Sequence, residues 1–168
     1  MASLTVTVSK NSWTFDSLLA AMARDFPDLS FVAGDSYCWS PATRQVFYRQ
    51  GDDPATDVYS LLHEVGHGSL EHANYHLDFE LVELEVAAWE RARDLAARYN
   101  IRINDAHIQD CLDTYRDWLY GRSVCPSCQT KSLQQDDQPT YECFNCHATW
   151  RVSPRRFCRP YRLTAPGV

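Results

Sequence analysis

No stretch of this sequence approaches the roughly 20 consecutive apolar residues that a membrane-spanning helix requires. Residues 1–10 carry neither a basic lead nor a continuous apolar run, so the chain reads as neither exported nor membrane-spanning. A shortage of apolar residues is equally absent: 45% are hydrophobic and 12% aromatic, which excludes wholesale disorder. There is no internal repeat and no extended low-complexity segment. At 168 residues the chain has room for one proper core and a small appendage, and two full-sized domains do not fit.

Seven cysteines are present, and four of them fall in two CxxC pairs. In a chain read as lacking an export signal, that spacing points to metal rather than to disulfides, and to a reducing cytoplasm. The net charge of −6 is unevenly spread: residues 1–120 hold 9 basic and 19 acidic side chains, residues 121–168 hold 7 and 3. An acidic body thus carries a basic tail, which suits either an acidic partner or nucleic acid, or is simply solvated.

Phe15, Leu18, Leu19, Met22 and Phe26 recur at helical spacing after Ser12, a possible cap, and the pattern ends at Pro27. Three β-prone runs follow, Phe31 to Ala33, Tyr37 to Trp39 and Gln45 to Arg49, separated by Gly34-Asp35 and Pro41-Ala42-Thr43. They predict a small antiparallel sheet, with the last run either an open edge for an extended peptide or an ordinary core strand. A helix is expected from about Pro54 to Glu71, with Asp52 and Asp53 suiting its positive end. Another spans Asp78 to Tyr99, free of Gly and Pro, and a fourth runs from Asn104 or Asp105 to Tyr120, stopped by Gly121. The boundary is placed there, giving a body of residues 1–121 and an appendage of 122–168.

Residues 63–67 read His-Glu-Val-Gly-His, an HExxH pattern, among Val58, Leu61, Leu62, Val65 and Leu70. On a helix, i and i+4 stand one above the other, so His63 and His67 reach a single zinc ion. Glu64 lies roughly 100° around from His63, the place for a general base. Zinc held by three protein ligands keeps a fourth position open for water and polarises a substrate carbonyl, which is the chemistry of amide hydrolysis.

A third ligand is required, and the following helix offers Glu80, Glu83, Glu85 and Glu90. Leu81, Val82, Ala88, Trp89, Ala92, Leu95, Ala96 and Tyr99 form one apolar stripe at 3.6-residue periodicity, and Glu85 falls in its middle. Glu80, Glu83, Glu90 and Asp94 lie opposite. A carboxylate on a buried face must be paired or bound to metal, so Glu85 is the candidate ligand, with a buried arginine pair as the alternative. The longer motif HExxHxxGxxH is excluded by Leu70 and Ala73. His76 reaches the metal only if the chain reverses after Glu71; otherwise His72 and His76 are loop residues. His107, Tyr75 and Tyr115 are possible oxyanion donors that the sequence does not place.

Cys125-Pro-Ser-Cys128 and Cys143-Phe-Asn-Cys146, fourteen residues apart, have the arrangement of a zinc ribbon. Two such knuckles complete a tetrahedral four-thiolate site with no open position, so the zinc is structural. A module of about 30 residues cannot build an adequate core, so the metal supplies much of its folding energy. A redox pair or an iron centre are the other readings of the same spacing, and His147 is a possible substitute for Cys146. Cys38, Cys111 and Cys158 are unpaired by spacing. Trp150 and Arg151 are expected on the ribbon's last strand, followed by Arg155, Arg156, Phe157, Arg159, Tyr161 and Arg162, where arginines interleaved with rings suit nucleic acid.

With HEVGH and Glu85-Val-Ala-Ala-Trp89 in view, residues 54 to 100 resemble the ImmA/IrrE group of bacterial and phage metallopeptidases. The resemblance implies a gluzincin-like site of His63, Glu64, His67 and Glu85, and cleavage of a protein, typically a DNA-binding repressor. This chain departs from that group in its ribbon and in reading Glu85-Val86-Ala87 where Glu-Ala-Asn is common. SprT-like or Spartan-like proteases, which act on proteins at DNA, resemble it in having HExxH followed by a ribbon, but their third ligand is a histidine, here His76 or another non-obvious choice. The expected architecture is α+β, a zincin-like domain followed by a β zinc ribbon. The expected function is a zinc peptidase with one catalytic and one structural zinc; a non-catalytic binding module with two structural zincs is the contrasting expectation.

Overall fold

A computed structural model describes residues 13–51, 53–136, 139–153 and 163–164. They form an α+β structure that divides into two compact units. The first comprises the described residues up to 73 together with 84–105; the second comprises 74–83 and the described residues from 106 onward.

In the first unit α1, Phe15–Asp25, buries Leu18, Ala21 and Met22. Its cap is Thr14, whose hydroxyl accepts the Ser17 N–H while the Ser17 hydroxyl takes the Thr14 N–H. Ser12, the cap expected from sequence, lies outside the described residues. Strands β1 (Ser30–Ala33), β2 (Cys38–Ser40) and β3 (Gln45–Tyr48) form a sheet in the order β1-β3-β2. The expected antiparallel pairing holds for β2 and β3, with Trp39 opposite Val46, whereas β1 runs parallel to β3, with Phe31 opposite Val46. Strand β3 is therefore central, with Val46 fully buried, and offers no open edge.

Helix α2, Pro54–Ser69, starts with Asp53 as its cap and Pro54 in the first turn, where a missing N–H costs nothing. Asp52 lies outside the described residues. The buried Asp57 accepts the Gly51 N–H at 2.7 Å, securing the entry to the helix. The exit is a Schellman motif: Glu71 N–H donates to Gly68 O at 3.2 Å and His72 N–H to His67 O at 3.1 Å, with Glu71 left-handed at φ 55°.

Helix α3, Asp78–Arg98, buries Glu85, Ala88, Trp89, Ala92, Leu95 and Ala96, most of the stripe read from its periodicity, while Leu81 and Val82 of that stripe are half-buried. Tyr99 follows it and donates its hydroxyl to Asp25 at 2.7 Å.

In the second unit α4, Asp105–Ser123, runs through Gly121 rather than stopping there. The extra turn carries Arg122 into a buried ion pair with Asp78, Nε to Oδ2 at 2.6 Å, and Tyr141 donates to the same carboxylate at 2.6 Å. That network outweighs the roughly 1 kcal/mol disadvantage of a helical glycine. Asn74–Glu83 and α4 from Ala106 onward group with the cysteine module in the second unit. Strands β4 (Leu133–Gln134), β5 (Thr140–Glu142), β6 (Thr149–Arg151) and β7 (Leu163–Thr164) form an antiparallel sheet in sequence order. Trp150 and Arg151 lie on β6, which β7 follows, so β6 is not the last strand. Tyr141, Trp150, Val152, Cys125 and Cys143 form the module's small core. No helix among the described residues is long and apolar enough to cross a membrane.

Candidate metal centres

Two groups of side chains among the described residues have donor atoms close enough to share one ion: Cys125, Cys128, Cys143 and Cys146, and His63, His67 and Glu85. Both sets are those expected from the sequence.

Around the cysteines, the two CxxC segments fold alike. Cys125 N–H donates to Thr130 O and Gln129 N–H returns to Cys125 O; Cys143 N–H donates to Ala148 O and His147 N–H returns to Cys143 O. Each knuckle turns on a left-handed residue after its second cysteine, Gln129 at φ 62° and His147 at φ 58°. His147 is thus a turn residue, with Nδ1 3.5 Å from Glu142, and stands outside the thiol cluster. The sulfurs of Cys125 and Cys146 are 3.6 Å apart and those of Cys128 and Cys143 3.4 Å, close to the edge of about 3.8 Å in a zinc–thiolate tetrahedron. Hydrogen bonding with the Thr130 side chain, then with Asn145, draws Cys128 down to about 5. The Ala148 N–H favours the Cys146 thiolate, yet desolvation and the three other thiols push it up to about 12. The four cysteines thus form a cluster that could hold a metal such as zinc.

The second group sits between α2 and the buried face of α3. His63 Nε2 is 3.1 Å from Glu85 Oε2, His67 Nε2 is 3.1 Å from His63 Nε2, and His67 Nε2 is 3.6 Å from Glu85 Oε1. These three edges bracket the value of about 3.3 Å for ligands of a tetrahedral zinc. Burial alone raises the Glu85 pKa, but hydrogen bonds to His63 and then His67 override it and hold the carboxyl well below its usual range. Glu85 is only 6% exposed, and its partners are two histidines rather than an arginine, so the buried arginine pair is not what the fold built. His63 stacks on Trp89, ring centroids 4.3 Å apart, which fixes the plane of the imidazole.

The approach of the two helices depends on Gly66. A Cβ there would lie 2.6 Å from the carbonyl oxygen of Ala88, one turn beyond Glu85. Gly66→Ala is expected to cost about 1–3 kcal/mol of stability through overpacking. It should also pull Glu85 off the histidines, so urea unfolding and zinc content are expected to fall together; unchanged zinc content would show that the helices relax without disturbing the site.

Glu64 is not one of the three grouped residues, and its Oε2 accepts the backbone N–H of Trp39 on β2 at 2.7 Å. The Trp39 indole donates to the carbonyl of His72 at 2.7 Å. His72 is not a free loop residue: its Nδ1 lies 2.9 Å from Nδ1 of His67. Burial, then the neighbouring His67, lowers its pKa. His76 is exposed and outside the ligand group, its backbone N–H donating to Glu80. His107 faces Cys111 one turn along α4, with Nε2 3.7 Å from Sγ, and Tyr115 is buried on the same helix. Cys38 is exposed on β2, while Cys158 and the arginine-rich segment 154–162 lie outside the described residues.

No protein-family model, curated protein or solved structure matches this chain.

Proposed function

We propose that this protein is a cytoplasmic zinc-dependent peptidase of gluzincin type, zincin-like in its first unit, with a ribbon zinc in its second. The observation that carries the reading is the convergence of His63, His67 and Glu85 within 4.8 Å of one another, next to Glu64 on the same helix. His63, His67 and Glu85 would hold a zinc ion, which when bound would supply Lewis acidity toward a peptide carbonyl and an attacking water. Glu64 takes the proton from that water and delivers it to the leaving amine, and the Trp39 N–H keeps the carboxylate aimed during the transfer. An extended substrate chain adds at β2, the edge strand that carries Trp39, rather than at the central β3. The substrate is a protein, a DNA-binding regulator being the class that the ImmA/IrrE resemblance implies. The basic segment after the ribbon would recruit an acidic partner or nucleic acid.

A purely structural double-zinc module has no use for an acid group held as Glu64 is, which favours the peptidase over an adaptor. The test is zinc content by elemental analysis on wild type, Glu85→Ala and His76→Ala. Two zincs per chain, falling to one in Glu85→Ala alone, are expected from the two ligand groups. Loss in His76→Ala with retention in Glu85→Ala would replace this reading with a SprT-like one.

A further inference from the structure

Histidine ligands to zinc are ordinarily held by a second hydrogen bond, made from the ring nitrogen that does not face the metal. His63 has none: its Nδ1 is buried without a hydrogen-bond partner among the described residues, and stacking on Trp89 is what orients it. His67 differs, since its Nε2 faces His63 and Glu85 while its Nδ1 meets Nδ1 of His72 at 2.9 Å.

The position of His72 follows from the way α2 ends. In a Schellman motif the second residue beyond the cap comes back over the last full turn, ordinarily making an apolar contact there. In this chain that residue is His72, and the residue it returns to is His67, whose carbonyl accepts the His72 N–H at 3.1 Å. The backbone bond and the ring contact therefore join the same two residues. A third restraint comes from Trp39, whose indole N–H holds the His72 carbonyl while its backbone N–H holds Glu64. Gly68 gives Trp39 room to lie on the helix: a Cβ there would be 3.2 Å from the indole and 3.0 Å from Leu29.

We propose that His72 is a positioning residue for the metal, its Nδ1 accepting the Nδ1–H of His67 so that the His67 Nε2 lone pair is presented toward His63 and Glu85. Trp39 then ties the metal-ligand row and the general base to one strand residue. The proposal rests on the metal site of the peptidase reading, and its test separates the two.

The experiment is a competition titration of the zinc-loaded full chain against a chromogenic chelator, following the zinc that a His63→Ala chain lacks. His72→Leu preserves an apolar contact at the helix end but accepts no hydrogen bond, and it is expected to weaken that zinc by about 10- to 100-fold. His72→Asn places an amide oxygen close to where Nδ1 stood and is expected to stay near wild type. Wild-type affinity in His72→Leu overturns the proposal, leaving His72 as a helix cap only. Equal weakening in His72→Asn and His72→Leu also overturns it, because the acceptor is then not what matters. A wild-type chain that binds no zinc beyond that of His63→Ala overturns both this proposal and the peptidase reading.

Discussion

On the peptidase reading, replacing Glu64 by glutamine should leave both zincs in place and slow peptide hydrolysis by about 10²- to 10⁴-fold, the usual worth of a positioned proton-transfer group. The substitution isolates the proton. Glutamine has the same length, and its amide oxygen can still accept the Trp39 N–H that Glu64 accepts at 2.7 Å, so the side chain keeps its place. None of the three ligands is touched, since His63, His67 and Glu85 make their contacts with one another. The amide simply has no carboxylate to take a proton. Hydrolysis of a denatured, fluorescently labelled casein, measured alongside zinc content, provides the readout. A Glu64→Gln chain that cleaves as fast as wild type with zinc unchanged would falsify the peptidase reading; loss of zinc together with activity would mean that Glu64 serves the site's architecture instead.

Much of the grouping of candidate metal ligands was legible because it is written locally. The i, i+4 spacing of His63 and His67 needs only a helix, and each CxxC knuckle needs only its own turn. Glu85 was legible for a different reason: one carboxylate in a stripe of Ala88, Trp89, Ala92 and Leu95 contradicts the pattern around it, and such conflicts mark functional positions. The same reasoning could not reach His72. Its place depends on a left-handed residue closing α2, and the usual sign of one is glycine, whereas this chain has Glu71 at φ 55°. Nor was the sheet legible in full. Whether β1 runs parallel or antiparallel to β3 depends on how the chain crosses between them, and runs of four residues with similar composition carry no record of it. The end of α4 was misplaced because Gly121 is a strong local stop signal that tertiary contacts at Arg122 override. Nothing in the spacing of Asp78, Arg122 and Tyr141, far apart in sequence, announced that they meet.

That meeting point carries the largest expected effect on stability. Asp78 is 4% exposed and Arg122 1%. The carboxylate accepts from Arg122 Nε at 2.6 Å, Arg122 Nη2 at 3.3 Å and the Tyr141 hydroxyl at 2.6 Å, so it satisfies donors from α4 and from the ribbon's β5 at once. Burial and this carboxylate together raise the pKa of Tyr141, which therefore remains a donor throughout the ordinary pH range. Asp78→Ala leaves the guanidinium buried with the Ser153 carbonyl and the face of Trp118, 4.4 Å from its centre, as remaining partners. Breaking one side of a buried pair costs about 3–5 kcal/mol, most of it the penalty of the charge left behind. Urea unfolding of the zinc-loaded chain should show that loss for Asp78→Ala. Adding Arg122→Met should restore a large part of it, since the stranded charge is then gone and an unbranched apolar chain fills much of the space. If the double variant is no more stable than Asp78→Ala alone, the stability lies in the hydrogen bonds to Ser153 and Tyr141 and in packing on Trp118, and the charge pair is incidental to it. Either way the measurement must be made with zinc bound, because the apolar core beneath this network consists of Tyr141, Trp150, Val152 and two of the cysteines. A core of that size is expected to hold its shape only when a metal ties the four thiolates together.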